Sequence, residues 1–125
     1  MLFRSSRGLG TRTEVRCPDP ACNPYLAFAM MLASGLDGVK NNLEAPDSVD
    51  QDIFSMTPAE KEAAGIDSLP ASLKEAIDIL KENPIAKEAL GEHILEKFVV
   101  GKEKEWDKYR TAVTDWELEN YLSNY

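Results

Sequence analysis

One short stretch has the pattern of a β-strand, and the residues after it can neither continue a strand nor begin a helix. Residues 11–16 alternate between β-branched and charged side chains, and the charged ones are Arg12, Glu14 and Arg16. This period of two is typical of a strand. The next segment, residues 17–20, contains two prolines, which fix φ and remove backbone donors. Because a strand needs a partner and no second convincing strand pattern occurs, the sequence indicates that part of a sheet is missing.

The remainder of the chain is predicted to be helical. Asn23 followed by Pro24 begins the first helix, as a cap and a proline at the first helical position. Three later helices begin with a capping box, in which a hydroxyl and a glutamate satisfy each other's backbone amides: Thr57 with Glu60, Ser72 with Glu75, and Thr114 with Glu117. Asn83-Pro84 begins another, and Gly65 and Gly91 are typical helix ends. The helices are predicted over 24–42, 57–64, 72–82, 84–90, 92–112 and 115–122.

Three of these segments carry large apolar surfaces. The first helix is apolar nearly all round at its start, which indicates burial on most sides. Its Gly35 and Gly38 either allow another backbone to approach closely or are tolerated at about 1 kcal/mol each. The helix predicted over 92–112 has an apolar stripe, typical of a core or an interface, formed by Ile94, Leu95, Phe98, Val99, Trp106 and Tyr109.

The C-terminal segment is rich in large apolar side chains. Its members are Trp116, Leu118, Tyr121, Leu122 and Tyr125. Burying such side chains is strongly favourable, so we expect the end of the chain to dock on its own subunit or on a neighbour.

The composition is that of an acidic chain the size of one domain. Of its 125 residues 22 are acidic and 14 basic, for a formal net charge of −8. An acidic surface repels phosphate backbones, so nucleic acid is a poor partner. The longest apolar run, residues 26–33, is too short to span a bilayer, and no secretion signal is indicated. The two cysteines, Cys17 and Cys22, form no disulfide framework, so inert thiols in a reducing cytoplasm are expected.

Few residues suit chemistry by their position. His93 is the only histidine and is predicted to be a surface or capping residue. Arg12, Glu14 and Arg16 point the same way along the predicted strand. A carboxylate between two permanent cations can bind a divalent metal while the guanidiniums bind phosphate or carboxylate oxygens. The alternative is a solvated strand face with two surface ion pairs, each contributing less than about 1 kcal/mol.

A longer match around these residues resembles a known family. The signature is Arg12-x-Glu14-x-Arg16-x-x-Asp19-Pro20-x-x-Asn23-Pro24-Tyr25-Leu26, preceded by Ser6-Arg7-Gly8. Similarity continues through residues 34–41, 89–93 and 105–110. Together these segments resemble glutamine synthetases, and the later ones resemble the type I enzymes of Gram-positive bacteria. The resemblance covers essentially the whole chain and corresponds to the C-terminal part of a much longer enzyme.

The resemblance implies an ATP-dependent ligase that joins ammonia to L-glutamate through a γ-glutamyl phosphate. By its position in the signature, Glu14 corresponds to a metal-ligand glutamate, with Mg²⁺ or Mn²⁺ as the metal. Arg16 corresponds to the arginine that holds the glutamate side-chain carboxylate and the phosphoryl group, and Arg12 to an arginine near the nucleotide phosphates. Phosphoryl transfer needs metals and arginines rather than a nucleophilic side chain, so these residue types suit the reaction.

The same resemblance implies an architecture. Residues 1–125 would be the C-terminal portion of an α+β catalytic domain, mainly helical, with one short strand at about 11–16. The complete enzyme would be a cytoplasmic homo-oligomer of two stacked hexameric rings. The isolated chain is expected to be inactive, because the other metal ligands and the ATP-binding loop belong to other parts of the family's sequence. Arg4 does not match the family pattern, and His93 is not the ligand histidine.

A second hypothesis belongs to a different class of protein. In the Gram-positive enzymes, the C-terminal region also contributes to feedback inhibition and contacts a nitrogen-response repressor. The chain could therefore be a helical regulatory or protein-interaction module derived from the enzyme. Glu105, which matches a position linked to feedback control, and residues 114–125 would then carry the function.

Overall fold

The chain folds into a small antiparallel β-ribbon followed by a series of helices. The computed structural model describes residues 2–4, 8–9 and 11–122. The strands are β1 (Leu2–Arg4) and β2 (Arg12–Glu14), and a 3₁₀ helix spans Ile53–Ser55. The α-helices are α1 (Pro24–Lys40), α2 (Pro58–Ala63), α3 (Leu73–Glu82), α4 (Pro84–Arg110) and α5 (Asp115–Tyr121). The prediction of a mainly helical chain is confirmed.

The strand pattern has a partner within the chain. β1 pairs antiparallel with β2, in the register Leu2 to Glu14, Phe3 to Thr13 and Arg4 to Arg12. The expectation that no second strand exists was therefore wrong, because three residues are too few to show a period of two. β2 is also shorter than the six residues predicted, since it ends at Glu14. Two strands of three residues form a ribbon that is marginal by itself in water.

Side-chain caps begin the helices where the sequence predicts them. Asn23 Oδ1 accepts hydrogen bonds from the backbone amides of Tyr25 and Leu26, at 3.0 and 3.4 Å. The capping boxes at Thr57 and Thr114 both form with their glutamates. Such a cap contributes about 1 kcal/mol because it satisfies a backbone donor that the helix leaves without a partner.

The third predicted capping box, formed by Ser72 and Glu75 at the start of α3, is present only in part. Ser72 Oγ accepts from the Glu75 amide at 3.2 Å, but the Glu75 carboxylate accepts from the amide of Ala71, one residue before the cap. Half of the predicted box is therefore replaced by a contact one residue earlier. This contact still satisfies a backbone donor at the helix start.

Gly91 divides α4 into two segments. Its backbone has φ 71° and ψ 158°, which is outside the helical region, although helical residues continue on both sides. The sequence predicts a helix end at this residue and separate helices on either side. Only glycine adopts this conformation without strain, because it has no Cβ.

The chain divides into two compact units, residues 1–69 and 70–125. In the second unit α3 packs against α4 and buries a set of apolar side chains: Ile77, Ala86, Leu90, Leu95 and Val99. Lys81 Nζ of α3 also contacts Glu103 Oε1 of α4 at 2.9 Å. The predicted stripe of α4 is therefore partly confirmed, since Leu95 and Val99 are buried whereas Ile94 and Tyr109 are exposed.

In the first unit, α1 does not have the burial that its composition predicts. None of its residues is buried against the described part of the chain. Its exposed apolar side chains recur at helical spacing: Tyr25, Phe28, Leu32, Leu36 and Val39. Apart from the nearby backbone of α1 itself, no atom of the described residues lies within 4 Å of a Cβ placed at Gly35 or Gly38, so no second backbone approaches closely there.

The C-terminal segment exposes its apolar side chains within the part of the chain that the structure describes. Trp116 and Tyr121 contact each other edge to face, with ring centroids 5.6 Å apart, and both remain more than half exposed. Tyr125 lies outside the described residues. Among the described helices, none combines the length and the apolar composition needed to cross a membrane.

We expect Gly91→Ala to lower the free energy of unfolding by about 1–3 kcal/mol, because alanine is strained at this positive φ. Gly101→Ala is the matched control: Gly101 is helical with open space around its Cβ position, so alanine should be neutral or stabilise by up to about 1 kcal/mol. Urea unfolding followed by circular dichroism measures both. Equal effects of the two substitutions would contradict the strained conformation.

Candidate functional site

The ribbon brings together the three charged residues that the sequence singles out. Arg12 and Glu14 are two residues apart on β2, so their side chains lie on the same face of the strand. Arg16 follows two residues after the strand ends. The backbone therefore presents the three side chains side by side, with Glu14 in the middle.

Each oxygen of the Glu14 carboxylate accepts from a different guanidinium. Arg12 donates a hydrogen bond from Nε to Oε1 at 3.0 Å, and its Nη2 forms an ion pair with the same oxygen at 2.9 Å. Arg16 donates to Oε2 through Nη2 at 2.9 Å. Hydrogen bonds between ionised groups are stronger than neutral ones, so this arrangement fixes the orientation of the carboxylate between the two arginines.

The electrostatics of the cluster follow from this geometry. The hydrogen bonds from Arg16, and then those from Arg12, hold the pKa of Glu14 below its ordinary value. The Glu14 side chain is 19% exposed, whereas those of Arg12 and Arg16 are 53% and 70% exposed. One carboxylate and two guanidiniums leave a net positive charge, and the cationic groups are the ones that face solvent. The cluster can therefore bind an anion through guanidinium donors that Glu14 does not occupy.

The described residues do not by themselves form a metal site. Among residues 2–4, 8–9 and 11–122, no group of three or more histidine, cysteine, aspartate or glutamate side chains is placed to hold a metal ion. Glu14 is the acidic member of the cluster, and both of its oxygens accept from arginines. A divalent cation prefers several oxygen ligands, so Glu14 can supply at most one part of such a site.

The turn after the cluster joins it to α1. The carbonyl oxygen of Asp19 accepts from the Cys22 amide at 3.0 Å, and Asp19 Oδ1 accepts from the Ala21 amide at 2.7 Å. The sequence pattern assigned no role to Asp19 beyond its place in the signature. The signal for the turn is the aspartate before a proline, since aspartate side chains cap the backbone two residues later.

The remaining predicted residues lie in the second unit. Glu105 is on α4, where its Oε2 contacts Lys102 Nζ at 2.7 Å and its side chain stays largely exposed. This contact joins residues one helical turn apart. His93 is exposed on α4, as predicted for a surface residue. Of the residues singled out in the sequence, the structure therefore places Arg12, Glu14 and Arg16 in one cluster, whereas Glu105 and His93 lie on α4 in the second unit.

Comparison with known proteins gives a consistent family. Residues 3–121 match the family described as "Glutamine synthetase, catalytic domain". The chain is 56% identical over 121 residues to a glutamine synthetase of Clostridium saccharobutylicum, covering 97% of this chain and 27% of that protein. It is 60% identical over 116 residues to a glutamine synthetase of Methanococcus maripaludis, covering 93% of this chain and 26% of that protein. The corresponding identity to a glutamine synthetase of Staphylococcus aureus is 51%, over 97% of this chain and 27% of that protein. The chain thus spans about 27% of the length of such relatives.

We expect Arg16→Gln to raise the pKa of Glu14, because the hydrogen bond from Arg16 is the largest cause of its lowering. A carboxyl with a lowered pKa in the folded state stabilises that state above the unfolded pKa, and the contribution is lost as the pH falls through the folded pKa. The variant should therefore lose less stability than the wild type on acidification. The ¹³C shift of the Glu14 carboxyl carbon, followed against pH, measures the pKa directly.

The control for this experiment is Arg110→Gln, which removes a surface arginine paired with Asp107 on α4. It should leave the pKa of Glu14 unchanged. A Glu14 pKa that is the same in all three proteins would show that Arg16 does not hold the carboxylate.

Proposed function

The chain belongs to the glutamine synthetase catalytic-domain family, and we propose that it is the C-terminal portion of a glutamine synthetase. That enzyme would join ammonia to L-glutamate through a γ-glutamyl phosphate, with ATP as co-substrate. The observation that carries the proposal is the match over almost the whole chain to proteins named glutamine synthetase. The limited share of each relative that the chain spans supports the view that it is one part of a longer enzyme. The two compact units would belong to a single, incomplete α+β catalytic domain in the cytoplasm.

Arg16 and Arg12 are proposed to bind the anionic reactants. Arg16 is the most exposed member of the cluster, and it contacts Glu14 through its terminal nitrogen Nη2. A planar guanidinium binds carboxylate and phosphoryl oxygens through parallel hydrogen bonds. By its position in the family signature, Arg16 is assigned to the side-chain carboxylate of L-glutamate and to the phosphoryl group being transferred. Arg12 is assigned to the phosphates of the nucleotide.

Glu14 is proposed to supply one carboxylate ligand to Mg²⁺ or Mn²⁺ in the complete enzyme. A divalent cation neutralises charge on transferring phosphoryl groups. Because the described residues do not form a complete metal site, the other ligands would come from the rest of the polypeptide. Within this chain, the function of Glu14 is to hold both guanidiniums in place. Because those other ligands would be absent, the isolated chain is expected to have no ligase activity. It can therefore be used as a negative control in assays of the complete enzyme.

The C-terminal segment is proposed to contribute to a homo-oligomer, with the family's stacked double hexameric ring as the expected assembly. α5 has seven residues, and an isolated helix of that length is unstable in water. Its apolar side chains border a shallow groove of about 260 Å³ lined by Val113, Glu117, Leu118, Tyr121 and Leu122. Burial of this surface against another subunit would stabilise both the helix and the assembly.

The regulatory module is the weaker of the two hypotheses. The family match is to a catalytic domain, and the relatives above carry the name of the enzyme. Glu105 remains a proposed regulatory residue within the enzyme. Its exposed position on α4 leaves it accessible from solvent in this chain.

Two substitutions in the complete enzyme test the assignment of the cluster. Glu14→Gln should lower turnover by orders of magnitude and weaken binding of one divalent ion, because the amide keeps the shape but loses the charge. Arg16→Lys should also lower turnover and raise the KM for L-glutamate, since an ammonium cannot form parallel hydrogen bonds to a carboxylate. Steady-state kinetics as a function of Mn²⁺ and L-glutamate concentration measure both effects.

The controls for this test are Glu96→Gln and Arg110→Lys, which make the same chemical changes at exposed positions of α4. Both should leave the kinetics close to wild type. Wild-type kinetics and metal dependence in Glu14→Gln or in Arg16→Lys would contradict a role in the reaction. The cluster would then be a solvated strand face with two surface ion pairs.

Deleting residues 114–125 from the complete enzyme should release smaller oligomers while the catalytic domain stays folded. The reason is that the exposed apolar side chains of α5 are proposed to be buried only between subunits. Light scattering gives the assembly mass, and circular dichroism reports the fold. Glu119→Gln, which changes one charge on α5 but keeps its apolar residues, is the control and should leave the assembly intact. An unchanged mass after the deletion would show that the segment packs on its own subunit.

A further inference from the structure

Both cysteines of the chain lie in the short connection between the charged cluster and α1. Cys17 follows Arg16 directly, and Cys22 directly precedes Asn23, the cap of α1. Both are free thiols, and both are exposed. Neither lies in a strand or a helix, since β2 ends at Glu14 and α1 begins at Pro24.

Part of the backbone between the two cysteines, from Asp19 to Cys22, is folded into a turn. A fully extended segment of five residues would separate their Cα atoms by about 17 Å, whereas a disulfide needs roughly 4.4–6.8 Å. The hydrogen bond from the Cys22 amide to the Asp19 carbonyl closes a turn, and the Asp19 side chain supports it through the Ala21 amide. This turn brings the Cα atoms of Asp19 and Cys22 to within about 7 Å. Cys17 lies two residues before the turn, so only residues 17–19 still have to fold back for the two sulfurs to meet.

The prolines at positions 18 and 20 restrict the same segment. Each fixes its own φ, which reduces the number of conformations open to the reduced chain. The entropy lost on joining the thiols is therefore smaller than in a flexible segment of equal length. Because residues 17–22 carry no sheet or helix hydrogen bonds, a local adjustment can bring the sulfurs together without breaking an element.

We propose that Cys17 and Cys22, which the sequence analysis treats as inert thiols, are instead a reversible redox-modification site that closes an intramolecular disulfide. One thiolate attacks a sulfur of a disulfide oxidant such as oxidised glutathione, forms a mixed disulfide and releases one reduced glutathione. The second thiolate then attacks the protein sulfur of the mixed disulfide and releases the second reduced glutathione. The two thiols lose two protons and two electrons in total, and the oxidant takes up both. The bridge ties the residue after Arg16 to the residue before the helix cap.

The experiment uses the 125-residue chain in glutathione buffers of defined ratio, with free thiols trapped by alkylation and counted by mass spectrometry. The expected oxidised product is a monomer that has lost two hydrogens and takes up no alkylating reagent. Cys17→Ser and Cys22→Ser cannot close the bridge, so each should instead accumulate one glutathione on the remaining thiol. Stable glutathione adducts on both cysteines of the wild type, or disulfide-linked dimers, would overturn the proposal.

A second measurement tests whether the turn at Asp19 favours the disulfide, or whether the short distance between the two cysteines in the sequence is sufficient. Asp19→Ala removes the side-chain hydrogen bond to Ala21 and leaves both thiols in place. It should lower the equilibrium constant for the intramolecular disulfide about fivefold, as expected for the loss of one ordinary hydrogen bond. Asp47→Ala, which removes an exposed aspartate from an irregular segment, should leave the constant unchanged. Equal constants in Asp19→Ala and wild type would contradict the role of the turn.

Discussion

Packing of α3 against α4 is the interaction on which the second unit depends. Five apolar side chains are buried there, and burial of apolar surface is the main term that offsets the conformational entropy lost on folding. The ion pair between Lys81 and Glu103 also joins these two helices, but it is solvent-exposed and therefore contributes little to their stability. Gly91 divides α4 between Leu90 and Leu95, so buried residues lie on both sides of the kink.

The first unit is held together differently. Its ordered features are hydrogen bonds and ion pairs between residues that are close in sequence: the ribbon, the turn at Asp19, the cap at Asn23 and the Arg12–Glu14–Arg16 cluster. The apolar side chains of α1 stay exposed to solvent in the described part of the chain. This contrast agrees with the proposal that the chain is part of a larger catalytic domain, because a helix apolar on most sides is normally a buried one.

The charged cluster links this unit to the proposed reaction. Arg12 and Arg16 both contact Glu14, and their geometry leaves guanidinium surface facing solvent, where a phosphate or a carboxylate can bind. The same carboxylate would have to serve a divalent cation in the complete enzyme. Glu14 would then both bind the metal and position the two arginines. Glu14→Gln keeps the shape of the side chain but removes the charge that both roles need, so it is expected to be strongly harmful.

The sequence alone determined the features that depend on neighbours a few residues away. The caps at Asn23 and Thr57 and the break at Gly91 follow from hydrogen bonds and backbone sterics within one helical turn. The grouping of Arg12, Glu14 and Arg16 follows in the same way from the alternation of side chains along an extended chain. The family could also be identified from the signature that contains them.

Only the tertiary structure decided what depends on residues distant in sequence. It showed that Leu2–Arg4 pairs with β2, that Ile77 and Ala86 join the core, and that α1 stays uncovered by the described residues. It also showed that each Glu14 oxygen accepts from a different arginine. A strand of three residues has no readable period, and the burial of an apolar face depends on whether a partner surface reaches it. Those outcomes are set by packing between distant segments, which the local pattern of a sequence does not contain.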